Sequence, residues 1–202
     1  MARQLDGSIM RPGLAARYWR CFGDARVVLD VGCGAGAFGR LRPSPEIAVH
    51  GVDADPRAVA SAAEHEQALV VDLDEGRLPY DDETFDAVLA KDVLEHVRDP
   101  LAVAREINRV LKPGGPLVVS VIEARSSRVW SDYTHRRGFT RRSARALLED
   151  SGFDVEAIWR MGPVPGADRL GLIGLVPALL RFPPASLLWG FSWELLARRA
   201  TR

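Results

Sequence analysis

The chain has 202 residues, and its 27 lysines and arginines balance 27 aspartates and glutamates. Zero net charge excludes the basic footprint of a nucleic-acid-binding protein, and the length suits one domain with a substantial core. Two cysteines, Cys21 and Cys33, exclude a disulfide framework. With no secretory signal recognised ahead of the first strand pattern, a reducing cytoplasm is the expected compartment.

Residues 1–24 read as an irregular or helical lead-in with Tyr18 and Trp19 as packing anchors. A first strand is expected at 27–31, followed by a short helix through Leu41 that Pro43 and Pro45 stop. A second strand covers Ile47 to Asp53, an alanine-rich helix runs from Pro56 to His65, and a third strand spans Ala68 to Leu73. The fourth strand runs from Phe85 to Ala90. Asp99-Pro100 then opens a helix as N-cap and first helical residue, with Val103, Ile107, Val110 and Leu111 as its apolar stripe. Gly114-Gly115 ends that helix, and Leu117 to Ile122 is the fifth strand. A helix at 140–150, stopped by Gly152, precedes a sixth strand from Phe153 to Trp159. Alternating strand and helix signals predict an α/β sheet.

The most informative stretch is Val27-Val28-Leu29-Asp30-Val31-Gly32-Cys33-Gly34-Ala35-Gly36. A β-branched apolar run ends in three glycines at alternate positions, before a helix-compatible segment. A ligand approaches backbone closely only where no Cβ intervenes, and a helix N-terminus adds N–H donors. Gly34 to Gly39 also fits the dinucleotide pattern G-x-G-x-x-G. Here, however, Asp30 and Gly32 precede the match, and an acid would repel a pyrophosphate but attract a cation. Asp30 to Gly36 resembles the first motif of class I S-adenosylmethionine (SAM)-dependent methyltransferases. The sulfonium and ammonium groups of SAM are positive, and it has no phosphate.

The resemblance spreads over most of residues 27–161 in the order the family uses. It implies a Rossmann-like, doubly wound sheet, mostly parallel with an antiparallel last strand. Gly51-Val52-Asp53 resembles the acidic end of the second strand, 21 residues after Gly32, where a carboxylate takes both ribose hydroxyls. The cofactor contacts implied there are Asp53 and Ala54. Val71-Asp72-Leu73 resembles the adenine-binding strand end, which implies Asp72 and Leu73. Lys91 to Val97, containing Leu-Glu-His-Val, resembles the segment whose backbone passes beneath the methionine part, implying Lys91. His96 reads either as a catalytic group or as a histidine packed between helix and sheet. Leu111-Lys112-Pro113-Gly114-Gly115 resembles the family's turn into strand five. With Asp30, Gly32, Cys33, Gly34 and Gly36 these residues complete the expected SAM site, S-adenosylhomocysteine being the product.

Methyl transfer needs in-line alignment, exclusion of water and, for a hydroxyl acceptor, a base. The polar loop Trp130 to Thr140 carries Asp132-Tyr133-Thr134-His135-Arg136, a pattern resembling small-molecule methyltransferases. His135 is the expected base, with Asp132 to orient it, and Tyr133 and Arg136 are expected to contact the acceptor. The alternative for His135 is closure of the loop through a backbone hydrogen bond. Neither Asp132 with His135 nor Glu95 with His96 has metal-site spacing, so no metal is expected. Arginines 125, 128, 136, 137, 141, 142 and 145 read as an anion-seeking surface or as a solvated face.

Leu170 to Trp193 is nearly all apolar, interrupted by Arg181 and split by Pro183-Pro184. Its 24 residues exceed the roughly 20 of a membrane span, but the prolines and arginine argue against a spanning helix. Residues 163–191 are expected to insert before the last strand, Ser192 to Arg198 near the sheet's edge, as a lid or homodimer surface within one domain, 1–202. Contact with a membrane surface is the alternative. The expected activity is SAM-dependent methylation of a small-molecule hydroxyl. A lipid or quinone acceptor, a non-catalytic SAM-binding protein and, most weakly, a nicotinamide dehydrogenase are the competing readings.

Overall fold

The computed structural model describes residues 10–162, 175–179 and 191–201. In chain order it runs α1 (Pro12–Phe22), β1 (Val27–Val31), α2 (Ala37–Arg40), β2 (Ala48–Asp53), α3 (Pro56–Ala62) and β3 (Gln67–Val70). There follow β4 (Ala87–Lys91), α4 (Pro100–Val110), β5 (Pro116–Ile122), a 3-10 turn (Ser127–Trp130) and α5 (Arg141–Asp150). β6 (Phe153–Met161), α6 (Val176–Leu179) and β7 (Ser192–Arg199) complete the described elements.

The seven strands form one sheet in the order β3-β2-β1-β4-β5-β7-β6. β7 alone runs against its neighbours, pairing antiparallel with both β5 and β6. The expected Rossmann-like sheet with an antiparallel last strand is therefore present. β1 and β4 are apolar except for Asp30 and Lys91, because both of their faces are covered. One core packs Leu29, Val31, Val88 and Ala90 against Val103, Ile107 and Val110 of α4. On the other face Val28, Leu89 and Val118 meet Tyr18, Trp19 and Phe22 of α1. Trp19 stacks on Phe38 at 4.4 Å between ring centres, confirming α1's aromatic residues as anchors.

The helix starts follow their expected chemistry. The Asp99 carboxylate accepts the N–H groups of Leu101 and Ala102 at 3.0 Å, with Pro100 at the first position. Thr140 and Ser143 form a reciprocal capping box at α5. Several features differ from the sequence reading, among them α3, which ends at Ala62 rather than His65. β3 stops at Val70 because the Asp72 side chain accepts the Asp74 N–H and turns the chain. β4 starts at Ala87; just before it the Asp86 carboxylate accepts the Arg26 and Val27 N–H groups while the Asp86 N–H donates to the Val27 carbonyl. β7 is not the outermost strand: it lies between β5 and β6, which leaves β6 at the edge. Of the expected insertion at 163–191, all but residues 175–179 and 191 lies outside the described residues.

The chain order places β1 between β2 and β4, so successive connections leave it in opposite directions. This reversal opens a crevice at the carboxyl ends of the strands, where ligands of such sheets bind.

Candidate functional site

The crevice is a cleft of about 880 Å³, the size of a small-molecule site. Its wall brings together Asp30, Gly32, Cys33, Gly34, Asp53, Ala54, Asp72, Leu73 and Lys91, nine of the ten residues expected to hold the cofactor. Gly32 and Gly34 adopt φ of +75° and +54°, which side chains rarely tolerate, and a Cβ on Gly32 would lie 3.1 Å from Val93. The tenth residue, Gly36, is not on the wall. It is glycine because its φ is +72° and a Cβ would come within 2.8 Å of the Ala62 Cα. Its glycine is accounted for by close packing of the loop on α3.

The loop's donors also differ from the expected cradle. Gly32 and Cys33 both donate to the Val52 carbonyl, and Gly36 donates to Cys33. The following helix has only four residues, so little macrodipole reaches the loop. What the loop offers is proximity and a fixed carboxylate. Asp53 accepts the Gly34 N–H through Oδ2 and the Asp55 N–H through Oδ1, both at 2.9 Å. Each oxygen keeps a further lone pair for a hydroxyl donor.

Seven aspartates line the cleft against Arg40 and Lys91. That balance suits a cationic ligand and opposes a pyrophosphate. Asp30 itself is 4% exposed, and burial, followed by Glu66, pushes its carboxyl well above the usual range despite Lys91. It is a buried group of the cleft wall. Glu66 lies behind the loop, accepting the Gly39 N–H at 2.8 Å, and burial pushes it up to about 7.

The far end of the cleft is built from the segment after β4 and the loop after β5. Asp92 sits at φ +54°, pairs with Lys91 and accepts the Ser120 hydroxyl at 2.6 Å. His96, Asp132, Tyr133 and Thr134 complete this wall. The Thr134 hydroxyl donates to Asp132 Oδ1 at 2.6 Å and lies 3.0 Å from His96 Nδ1. Tyr133 stands at the rim, 86% exposed. His135 is not on the wall; its Nδ1 lies 2.7 Å from the Val129 carbonyl, and its ring packs 4.7 Å from His96. The loop-closing alternative thus describes its Nδ1, and the histidine at the cleft is His96. Burial, followed by His135, holds His96 below the usual imidazole range. Arg136 is likewise off the wall, donating its backbone N–H to Glu95 and its Nε to the His96 carbonyl. Arg137 ties the same loop to the Val97 and Arg98 carbonyls. These two arginines clasp the loop to the post-β4 segment.

The sequence reading did not place Asp92, Thr134, Met10, Phe38 or Arg40 at the site. Asp92 had a signal, since aspartate is among the few residues that enter the left-handed region after an apolar strand. Met10 and Phe38 had none.

A methyltransferase domain family matches residues 29–119. The chain is similar to the ubiquinone biosynthesis O-methyltransferase of Parvibaculum lavamentivorans, 35% identical over 115 residues, which are 54% of this chain and 45% of that protein. It is 30% identical over 140 residues to phosphoethanolamine N-methyltransferase 3 of Arabidopsis thaliana, covering 63% of this chain and 28% of that one. The chain spans less than half the length of these curated relatives. In fold it resembles a SAM-dependent methyltransferase from Archaeoglobus fulgidus (TM-score 0.72, 21% identity, 93% and 92% of the two chains). It also resembles the [4+2]-cyclase SpnF (TM-score 0.70, 24% identity, 95% and 82%). The match to the methyltransferase domain family, residues 29–119, covers somewhat less than half of the chain and includes the glycine loop and strand ends that build the first end of the cleft.

Proposed function

We propose that this protein transfers the methyl group of SAM to a hydroxyl oxygen of a small molecule. The observation that carries the reading is the composition of one cleft. Its first end holds a glycine-backed carboxylate, Asp53, with Asp72 and Leu73 nearby, and its second end holds the polar wall of His96, Asp132 and Thr134. SAM supplies an already activated methyl group; the chain's task is to align the acceptor and exclude water. Asp53 and Ala54 take the ribose, Asp72 and Leu73 the adenine, and Lys91 with the backbone after it lies under the methionine part. Cys33 belongs to this wall as packing, since burial raises its thiol far above the reactive range. The histidine pair supplies the acceptor-side chemistry, with His96 at the wall and His135 behind it. The single-domain reading of 1–202, with residues 163–191 as lid or dimer surface, belongs to the same proposal.

O-methylation is supported by the names of several relatives, which are ubiquinone biosynthesis O-methyltransferases. Those names, with Trp130 at 72% exposure in the loop that supplies Tyr133 to the rim, favour an apolar, quinone-like acceptor as the second reading. No helix among the described residues is long and apolar enough to cross a membrane. Because a [4+2]-cyclase shares the fold, the fold alone does not establish methyl transfer. Calorimetry tests the first step: SAM and S-adenosylhomocysteine bind and NAD does not, and preferential binding of NAD overturns the reading. An acceptor screen with methyl-labelled SAM then tests transfer, with label expected on a phenolic or alcoholic oxygen.

A further inference from the structure

Among the described residues, Glu95, His96 and His135 each place one potential ligand atom within 4.8 Å of those of the other two. The chain brings them together from two places, the turn after β4 and the loop after β5, clasped by the Arg136 N–H on the Glu95 carbonyl. Sequence spacing offered only two separate pairs, 95–96 and 132–135.

The hydrogen bonds decide what each group presents. A carbonyl only accepts, so the contact with Val129 requires the proton on His135 Nδ1 when the ring is neutral, leaving the Nε2 lone pair. Thr134 has one hydroxyl proton, and it goes to Asp132. The hydroxyl therefore receives the His96 Nδ1–H, and His96 also keeps an Nε2 lone pair. Two imidazoles pinned through Nδ1 by an oxygen acceptor are in the tautomer that metal-binding histidines use. The third group is Glu95, 1% exposed. One carboxylate oxygen accepts the Ile122 N–H at 3.2 Å, while the other, Oε2, is buried without a hydrogen-bond partner. A buried carboxylate oxygen without a donor is costly and calls for a cation or an ordered donor.

We propose that Glu95, His96 and His135 form a site for a first-row divalent transition metal of the zinc class. Two imidazoles and one carboxylate match three-ligand sites that leave a coordination position open, whereas magnesium and calcium prefer oxygen-only shells. Because His96 lies on the cleft wall, the site adjoins the acceptor end. Its catalytic use, polarising an acceptor oxygen, rests on the methyltransferase reading; metal binding does not.

The test uses the tag-free full chain, stripped with chelator and titrated with Co²⁺ and, separately, Zn²⁺. One ion per chain is expected, with visible ligand-field bands of low-coordinate Co²⁺ that Zn²⁺ displaces. His135→Ala should weaken Co²⁺ binding by about tenfold or more while SAM affinity, measured in parallel, stays near wild type. Glu95→Gln, which keeps the shape and the Ile122 contact, should do the same to Co²⁺. Absence of Co²⁺ binding by the wild-type chain overturns the proposal, as does unchanged binding in the His96→Ala, His135→Ala double variant. Loss of SAM binding with Co²⁺ binding intact would instead count against the cofactor reading.

Discussion

At the scale of single residues, carboxylates do most of the work, and their surroundings set their roles apart. Asp53 is held by two backbone N–H groups and keeps lone pairs for hydroxyl donors. Asp53→Ala should lower SAM affinity at least tenfold in calorimetry, because a hydrogen bond to a charged group contributes roughly 1.5–3 kcal/mol. Unchanged affinity in a folded variant would remove the ribose assignment. Glu66 behaves differently, because burial raises it from 4.5 to about 7. The folded chain thus holds a proton there that the unfolded chain releases near the ordinary value. That contribution to stability is fully present below about pH 4.5 and is lost as pH rises through about 7. Glu66→Gln cannot titrate, so its Tm should fall less than wild type between mildly acidic and mildly alkaline buffers. Parallel Tm curves for the two proteins would refute the assignment.

At the scale of elements, the Asp99 cap expected from the sequence is present, and the structure adds a second at α5. The Thr140–Ser143 box closes the start of α5, which packs on β6 and carries buried Ala144 and Leu148. Thr140→Ala should cost about 0.5–2 kcal/mol, seen as a lower midpoint in urea, with SAM affinity unchanged. The glycine loop is the opposite case, because three similar glycines have different causes. Gly32 and Gly34 stand on the cleft wall, whereas Gly36 is required by its φ and by Ala62. Gly36→Ala should therefore destabilise the fold by more than the ordinary cost of an alanine at positive φ, and a thermal melt reads this directly. Sequence spacing could not separate these roles, since the neighbour that excludes a Cβ at Gly36 arrives from another helix.

For the whole molecule, the sheet shows how the role of residues 163–190 can be tested. Met161 of β6 and Ser192 of β7 are register partners, and the Phe191 N–H donates to the Met161 carbonyl at 3.0 Å. The strand ends on either side of residues 163–190 are already adjacent. Replacing that segment with a short Asn-Gly turn should leave the sheet folded and SAM affinity near wild type. If the segment is a lid or a dimer surface, acceptor turnover or self-association should fall in the shortened chain, as measured by methyl transfer and by sedimentation. Loss of SAM binding, with both of those intact, would reject this role.

The sequence by itself determined the alternation of strands and helices, the Asp99 cap, the strand-end carboxylates Asp53 and Asp72, and the glycine loop. These are legible because hydrophobic period, backbone freedom and capping act between residues close along the chain. Only the tertiary structure decided which polar groups share a space. It put β7 inside the sheet, buried Asp30 in the cleft wall, and turned Arg136 into a clasp. It also set His96 on the cleft wall with His135 behind it and Glu95 beside them. Those residues lie about 40 positions apart, so their meeting depends on how two segments fold over the carboxyl ends of β4 and β5. Spacing along the chain carries no record of that distance, because loop geometry is set by hydrogen bonds to partners remote in sequence.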